Sequence, residues 1–320
     1  MTAVLIGQLL GLGFACGLNL YITVAAIGLL ARIGFLDALP PGLSGLQGLI
    51  VIISAVALYL VEAVVDKVRH ADSLWDTVHT FIRPPAAALL GLGALWGMPL
   101  GVRIAGAALA FLVALAAHGT KAGLRVALNT GSVPRSSARI SLAEDVMAAA
   151  FAVAALEYPG TALAAGGAVL LFVLLFGQRF WRAFVLGMRC LLAWFRAFFA
   201  PARWREADEI PSSVRAALGP HPLGTAPPRG ARAALNGVRT VGAFRNGWLV
   251  ITAAGPVFLY WTLAGVRRYE LPPAEEARAE RGVWADVLRV VSGAGTYSLY
   301  LLKDGPTADL ALQELELVTS

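Results

Sequence analysis

Long apolar runs separated by short polar turns make up the N-terminal part of the chain. Runs of this kind predict helices that lie in lipid. Three of them hold about 15 residues, and such a helix reaches only about 22 Å, whereas the hydrocarbon layer is about 30 Å thick. Some helices are therefore expected to be extended by polar turns or to be re-entrant. The six predicted spans are residues 4–31, 46–65, 84–96, 104–118, 141–156 and 161–177.

Glycine and asparagine interrupt the first apolar run. Gly11, Gly13 and Gly17 lie close together in it, and Asn19 follows. This pattern predicts a broken helix around residues 17–19. Asn19 is a candidate lining residue of a site, and the alternative is that it only hydrogen-bonds the unwound backbone.

Arginine and lysine residues follow the second, fourth and sixth spans, and only Arg32 and Arg103 lie in the opposite connections. Because cytoplasmic loops carry an excess of these residues, both termini are expected in the cytoplasm. The outer turns, at residues 35–41, 96–101 and 157–160, each place proline beside glycine or leucine. They indicate three tandem helical hairpins of the same orientation, and chance similarity among Ala-, Leu- and Gly-rich hairpins is an equal alternative.

The C-terminal part of the chain has a different pattern. Residues 201–232 are rich in proline, glycine and charge and predict a linker after a membrane helical domain of residues 1–200. Residues 233–320 are expected to form a small cytoplasmic β-rich domain with a terminal helix. The predicted strands are residues 248–252, 257–262 and 297–302, and the predicted helix is residues 308–317.

The composition agrees with a multi-pass membrane protein that contacts membrane lipids. Of the 320 residues, 58% are hydrophobic and 14% are charged, against about 25% charged in soluble domains. The net charge of +6 does not indicate a nucleic-acid binder, because the basic residues lie at span ends. Two cysteines provide no disulfide framework and no Cys-x-x-Cys metal motif.

Ionisable side chains within or beside the spans are the candidate functional residues, since such groups are costly in lipid and often mark a site. Glu62 and Asp66 share one helix face and indicate a proton- or cation-binding pair, or half of a metal site. The alternative for Asp66 is a helix end that reaches the cytoplasmic interface and pairs with Lys67 or Arg69.

A second stripe contains His118, Lys121 and Arg125, at the spacing of one helix face. This stripe could hold an anionic headgroup or phosphate, could neutralise the carboxylates of neighbouring helices, or could simply be the positive flank of a span. Glu144 and Asp145 open the fifth span. Ser141 and Glu144 have the spacing of a capping box, which explains Glu144 but leaves Asp145 without a structural role.

Asp72, Asp76 and His79 lie on an amphipathic segment before Pro84 and are weak candidates for a metal site. The simpler interpretation is a solvated helix face, which would also include Arg83. The sequence does not contain the motifs of nucleotide-binding proteins, zinc proteases or serine hydrolases. It therefore indicates neither a cofactor nor an enzymatic activity. Buried carboxylates near a histidine nevertheless leave acid–base or metal-assisted chemistry on a lipid open.

The order of these motifs resembles an uncharacterised bacterial membrane-protein family, domain-of-unknown-function family 4126, over roughly residues 5–175. The resemblance implies a multi-span protein of a bacterial inner membrane and carries no established activity. Residues 247–317 are similar to a bacterial pleckstrin-homology-like domain, which implies a lipid- or protein-binding module. The motifs of the first resemblance are Gly17–Leu18–Asn19–Leu20–Tyr21, Glu62 with Asp66 and Lys67, Asp72 to His79, Ile82–Arg83–Pro84, the His118 stripe, and Ser141 with Glu144 and Asp145.

The sequence therefore favours a transporter or channel-like protein for a lipid-type or small charged solute, with protons or cations as further partners. Its alternatives are a membrane scaffold that recruits a cytoplasmic protein through residues 233–320, and a lipid-modifying membrane enzyme. If the protein is a transporter or channel, side chains of opposite charge from separate hairpins are expected to meet between the helices.

Overall fold

A computed structural model describes residues 2–36, 39–66, 71–130, 137–199, 202–219 and 226–319. The chain divides into two compact units, residues 1–181 and residues 182–320. The first unit is helical, and the second holds an antiparallel β-sheet and a C-terminal helix. This confirms the predicted combination of a mostly helical part with a β-rich part.

The helices follow the apolar runs of the sequence. Among them, α1 packs against α5, α6 and α7 and lies at the centre of the unit. Its residues Leu12 and Phe14 are fully buried. The helices are α1 (Thr2–Leu18), α2 (Leu20–Arg32), a 3₁₀ helix (Pro41–Gln47), α3 (Leu49–Val65), α4 (Ala71–Thr80), α5 (Arg83–Ala94), α6 (Leu100–Thr130), α7 (Ser137–Glu157) and α8 (Pro159–Ala197), which continues into the second unit.

Asn19 separates α1 from α2. Its backbone is extended, with φ −152° and ψ 106°, so the helix cannot continue through it. Its side-chain oxygen accepts hydrogen bonds from the backbone amides of Tyr21 and Ile22 at 3.1 and 3.2 Å, which caps the N-terminus of α2. The predicted break in the first apolar run is confirmed, and Asn19 is its N-cap.

Only one helix of the described residues is clearly long and apolar enough to cross a membrane by itself, at Leu100–Arg125 within α6. Two bent pairs raise this number to three if each pair forms one span. In the first pair, Pro41–Gln47 meets Leu49–Val65 at 69°, and in the second, Pro159–Leu175 meets Gly177–Ala197 at 72°. The six spans, their tandem repeat and their orientation therefore remain predictions.

The fourth apolar run forms a longer helix than expected. It was predicted to end at residue 118, where charged residues begin, but α6 continues to Thr130. The reason is that Lys121 and Arg125 are paired with carboxylates inside the unit, so these charges do not mark the surface end of the helix.

The second unit contains seven antiparallel strands in the order β4-β3-β2-β1-β7-β6-β5. The first strand begins inside the segment interpreted as a linker, which also contains the short helix α9 (Ser212–Ala216). The C-terminal helix α10 (Ala308–Thr319) packs on β3, β5 and β6. The strands are β1 (Arg229–Asn236), β2 (Arg245–Thr252), β3 (Gly255–Thr262), β4 (Gly265–Glu270), β5 (Glu276–Glu280), β6 (Ala285–Ser292) and β7 (Gly295–Leu302).

Three hairpins of this sheet use the same turn. Each has a serine or threonine, two further residues and a glycine with positive φ, as in Thr252 and Gly255. The hydroxyl group donates to the carbonyl oxygen of the glycine at 2.7–2.9 Å in all three turns. Since a positive φ strains other residues, the glycine sets the position of the turn and therefore the register of each strand pair.

Candidate functional site

Eight ionisable side chains from α3, α4, α5, α6 and α7 meet inside the first unit, and we call them the charge cluster. None is more than 13% exposed. The cluster lies beside the break between α1 and α2, where backbone carbonyl groups lack helical partners. Its members are the carboxylates Glu62, Asp66, Asp76, Glu144 and Asp145 and the cations Arg83, Lys121 and Arg125.

Arg83 connects the end of α1 to α3. It is fully buried at the first position of α5, where Pro84 and Pro85 begin the helix without needing backbone donors. Its guanidinium group donates to the carbonyl oxygens of Gly17 and Leu18 at 3.2 and 2.9 Å, and to Glu62 Oε1 at 2.5 Å. This planar group with several donors can satisfy all three acceptors at once.

Lys121 joins the same helix end to two carboxylates. Its ammonium group donates to the Leu18 carbonyl oxygen at 2.7 Å and lies 3.1 Å from Glu144 and 3.6 Å from Glu62. A cation is favourable at the C-terminal end of a helix, where the carbonyl dipoles point outward. Lys121 and Arg83 therefore stabilise the broken end of α1 and neutralise neighbouring acids together.

Arg125 binds three carboxylates. It holds Asp66 with two parallel hydrogen bonds of 2.8 and 2.7 Å, and it reaches Asp76 at 3.3 Å and Glu144 at 3.1 Å. The hydroxyl group of Ser141 donates to Asp66 at 2.9 Å. Burial alone would raise the pKa of Asp76, but Arg125 and Lys121 outweigh it and hold this pKa at about 2. Asp76 is therefore ionised at neutral pH.

Two histidines border the cluster, and each donates a hydrogen bond to a backbone carbonyl oxygen. Arg83 donates to His118 Nδ1 at 3.1 Å, so Nδ1 accepts and Nε2–H donates to the Asp76 carbonyl oxygen at 2.8 Å. His79 Nδ1 donates to the Trp75 carbonyl oxygen at 2.7 Å, and Nε2 lies 2.8 Å from the Tyr21 hydroxyl group. Burial and the nearby Arg83 lower the pKa of His79.

Asp145 has a different environment from the other carboxylates. Its Oδ1 accepts a hydrogen bond from the amide of Asn19 at 2.9 Å, and its Oδ2 accepts one from the hydroxyl group of Tyr59 at 2.9 Å. Asn19 thus caps α2 with its oxygen and binds Asp145 with its nitrogen. Through this side chain, α7 is connected directly to the helix break.

The structure brings together most of the residues selected from the sequence. Asn19, Glu62, Asp66, His118, Lys121, Arg125, Glu144 and Asp145 all lie in the cluster or border it. Lys67 lies outside the described residues, and the described partner of Asp66 is Arg125. The binding of a solute by these residues stays a prediction.

The proposed capping box at Ser141 and Glu144 is wrong. The helix α7 already begins at Ser137, so Ser141 is not its N-cap, and both side chains are used by the cluster. No group of three or more potential metal ligands occurs among the described side chains, which do not include Asp72. Of the two other metal candidates, Asp76 pairs with Arg125, and His79 faces Tyr21 and Trp75.

Sequence reasoning missed three residues of this site. Arg83 was placed on a solvated face, and Tyr59 and Ser141 were not considered as partners of carboxylates. An arginine directly before Pro84 and Pro85, at the start of an apolar run, was the available signal for Arg83. The tyrosine and the serine carried no such signal, because their roles depend on which helix lies opposite.

The protein combines a unit of apolar helices, in which a charge cluster is buried, with a separate antiparallel sheet. At least one of its helices is able to cross a membrane. These features define its class as a helical, membrane-type protein with an additional sheet domain. The family model described as Domain of unknown function (DUF4126) matches residues 6–181, and the chain belongs to this family. The matched region contains the entire charge cluster. No curated protein and no solved structure matches the chain.

Proposed function

We propose that the protein is a multi-pass membrane transporter or channel-like protein, with the charge cluster as the binding site for a small charged solute or a lipid-type molecule. Its proposed location is a bacterial inner membrane with both termini in the cytoplasm, as the distribution of arginine and lysine predicts. Apolar side chains on the outside of the helices support a lipid environment, for example Ile50 on α3 and Leu112 on α6.

The observation that carries this proposal is the unequal charge of the cluster. Among the described residues, the cluster contains five carboxylates and three cations, and four of the carboxylates contact a cation. Glu62 Oε2 and Asp76 Oδ1 are buried without a hydrogen-bond partner. Burying charges costs free energy unless they are fully paired, so a purely structural network would be expected to balance its charges. The unpaired acceptors support a site that takes up a positively charged group.

The broken first helix supports the same function. Binding sites of many transporters lie where a membrane helix is interrupted, because the free backbone groups there can bind charged ligands. Here the end of α1 and the start of α2 meet the cluster at Leu18 and Asn19. Their backbone groups are held by side chains that would have to rearrange when a solute binds.

A vesicle assay with two probes tests the proposal. The purified full-length protein is reconstituted, and two rates are measured, the leaflet exchange of a fluorescently labelled anionic phospholipid and the decay of a pH gradient reported by an entrapped dye. We expect the wild type to accelerate at least one process over empty vesicles. Glu62→Gln and Lys121→Met should reduce that rate to the empty-vesicle value, because each removes one charge of the site.

Matched controls separate function from folding. Arg179→Gln removes a charge from an exposed position and should leave the rate unchanged. Loss of one member of a buried pair can cost about 3–5 kcal/mol, so thermal melting and gel filtration are recorded for each variant. Wild-type vesicles that behave as empty ones with both probes, or folded cluster variants with full activity, would show that the proposal is wrong.

A second candidate is a membrane scaffold that recruits a partner through the sheet domain. The tip of the β3–β4 hairpin exposes Trp261 and Leu263 to solvent, which favours a binding surface there. The strand order and the terminal helix support a pleckstrin-homology-like lipid- or protein-binding module. Under this alternative, the cluster variants and the wild type give the same rates in the vesicle assay.

A further inference from the structure

We propose that Asp145 is the proton-binding residue of the charge cluster, and that a proton is the ion coupled to transport. The coupling role rests on the proposed function, whereas the binding of a proton can be measured without any transport. The inference comes from the chemistry of the groups that surround each carboxylate.

Four of the five carboxylates face cations that can only donate. Glu62 contacts Arg83 and Lys121, Glu144 contacts Lys121 and Arg125, and both aspartates at positions 66 and 76 contact Arg125. Arginine and lysine carry donors and no acceptor. Each of these four carboxylates is therefore compensated by at least one cation through a charge-assisted contact.

Asp145 can hold a proton without losing either hydrogen bond. Its partners are the amide of Asn19 on Oδ1 and the hydroxyl group of Tyr59 on Oδ2. A tyrosine hydroxyl group can donate or accept. The carboxylate accepts from Tyr59, and the carboxylic acid donates its proton to the Tyr59 oxygen while Oδ1 still accepts from Asn19. Among the described residues, no lysine, arginine or histidine forms an ion pair with Asp145.

The charge of the whole cluster favours uptake at this position. With every group ionised, the described cluster has two more negative than positive charges, and a proton on Asp145 reduces the excess to one. Glu62 Oε2 and Asp76 Oδ1 are buried acceptors without a donor, and Arg83 Nε is a buried donor without an acceptor, so the hydrogen bonding of the described cluster is incomplete on both sides. Unbalanced charge in a low-dielectric interior is costly, so neutralisation lowers the free energy of the site.

Ionisable groups of the neighbouring elements lie close to Tyr59, the hydrogen-bond partner of Asp145. Glu62 and Asp66 interact electrostatically with Tyr59 from α3 and its end, and Lys121 of α6 lies 3.6 Å from Glu62. Glu144 precedes Asp145 on α7, and the α1–α2 break contributes Asn19 rather than a charged group.

Proton binding at Asp145 also acts on the helix break. The Asn19 side chain that binds Asp145 is the N-cap of α2, so a change at the carboxyl group reaches the first turn of this helix. The proton enters from water and returns to water, and no other bond is made or broken. Each cycle therefore transfers one positive charge to the cluster and releases it again.

Infrared difference spectroscopy of the full-length protein in vesicles tests this assignment. The spectra are recorded while the pH is changed from about 4 to about 9, a range that includes the titration of shifted carboxyl groups. We expect the wild type to show the carbonyl band of a protonated carboxyl group that titrates in this range. Asp145→Asn should remove the band, because the amide reproduces both hydrogen bonds of the acid but cannot release a proton.

Two further variants make the assignment specific. Glu276→Gln changes an exposed carboxylate of β5 and should leave the band unchanged. Tyr59→Phe removes the acceptor of the acid proton and should shift the frequency of the band, which is informative even if Asp145→Asn does not fold. A wild type without the band, or a band that persists in Asp145→Asn or is unmoved in Tyr59→Phe, would overturn the assignment.

The outcome of this experiment is separate from that of the vesicle assay. If the band is present and depends on Asp145 but neither probe is transported, the proton site stands and the transport function is wrong. If a probe is transported through the cluster but no such band is found, transport stands and the proton assignment is overturned.

Discussion

Asp76 shows how strongly a single side chain of the cluster depends on its neighbours. It is buried, and its Oδ2 pairs with Arg125 at 3.3 Å, whereas Oδ1 has no partner. Burial would raise the pKa of Asp76, but the nearby cations lower it from 3.8 to about 2. The ionised form is therefore more favourable in the folded protein than in the unfolded chain, and folding becomes sensitive to acid at this residue.

We predict that Asp76 stabilises the protein by about 2 kcal/mol above pH 4, as the shift of its pKa implies. Because the folded pKa is the lower one, this contribution is complete above 3.8 and is lost as the pH falls towards 2. Asp76→Asn should lower the unfolding temperature at neutral pH and reduce its pH dependence between these values. Thermal unfolding in detergent at a series of pH values measures both effects.

The exposed residue Glu276 provides the comparison for Asp76, since Glu276→Gln changes a carboxylate that is not buried in the cluster. It should change the unfolding temperature little at any of these pH values. Equal acid dependence in wild type and Asp76→Asn would contradict the prediction.

At the scale of single elements, α1 depends on glycine for its position between other helices. A Cβ atom at Gly17 would lie 2.6 Å from the carbonyl oxygen of Ala114 and 2.7 Å from the side chain of Ala117, both on α6. Small residues allow helix backbones to approach closely and to pack by direct contact. This close approach also brings the carbonyl groups at the end of α1 within reach of Lys121.

We predict that Gly17→Ala destabilises the first unit by about 1–3 kcal/mol, because the added methyl group forces α1 and α6 apart. The matched control is Gly167→Ala on α8, where nothing lies within 4 Å of the added atom. That substitution should be neutral or stabilising by up to about 1 kcal/mol through helix propensity. Thermal unfolding of both variants measures the change in stability. Equal changes in the two variants would show that the α1–α6 contact is not the cause.

At the scale of the whole molecule, the chain combines two units with different building principles. The first unit keeps the charge cluster inside, beside an apolar core that includes Leu12 and Phe14, and it exposes apolar side chains. The second unit is built around an apolar core in which Leu235, Leu249 and Leu299 are fully buried. A buried charge cluster and an apolar outer surface are suited to a helical unit in lipid. A sheet with an apolar core and charged outer strands suits water.

The proposed orientation predicts that the sheet domain lies on the cytoplasmic side. In a variant with Cys16 and Cys190 replaced by alanine, a cysteine at position 263 should react with a membrane-impermeant maleimide only after the cells are permeabilised. Leu263 is fully exposed, so its replacement should not disturb folding. A cysteine in place of Leu100, in a predicted outer turn, should react in intact cells, and the opposite pattern would contradict the orientation.

Parts of this fold could be predicted because they depend on neighbours along the chain. Apolar runs predicted the helices, and the Gly17–Asn19 region predicted the break, since both signals are local. Strands β2, β3 and β7 are rich in β-branched and aromatic residues and were predicted, whereas β1, β4, β5 and β6 were missed. Of the missed strands, β1 is rich in alanine and β4 and β5 are rich in charge. Strands of that composition form because partner strands hold them.

The charge cluster could be predicted as a group of residues but not as a set of pairs. The cost of charge in apolar segments selected Glu62, Lys121 and Asp145 from the sequence alone. The spacing along a helix shows which residues share a face, but it does not show which face of another helix lies opposite. That Arg83 binds Glu62 and the end of α1, and that Asp145 faces only neutral donors, depends on the packing of five helices.

The sequence by itself determined the helical and β-rich parts, the break at Asn19 and the residues whose charge must be compensated, because these follow from local composition and spacing. Only the tertiary structure decided how the charges are compensated, because a buried ion pair requires two groups within a few ångströms, and that distance is set by the contacts between helices. For the same reason, the surplus of carboxylates and the neutral partners of Asp145 became visible only when the helices were packed together.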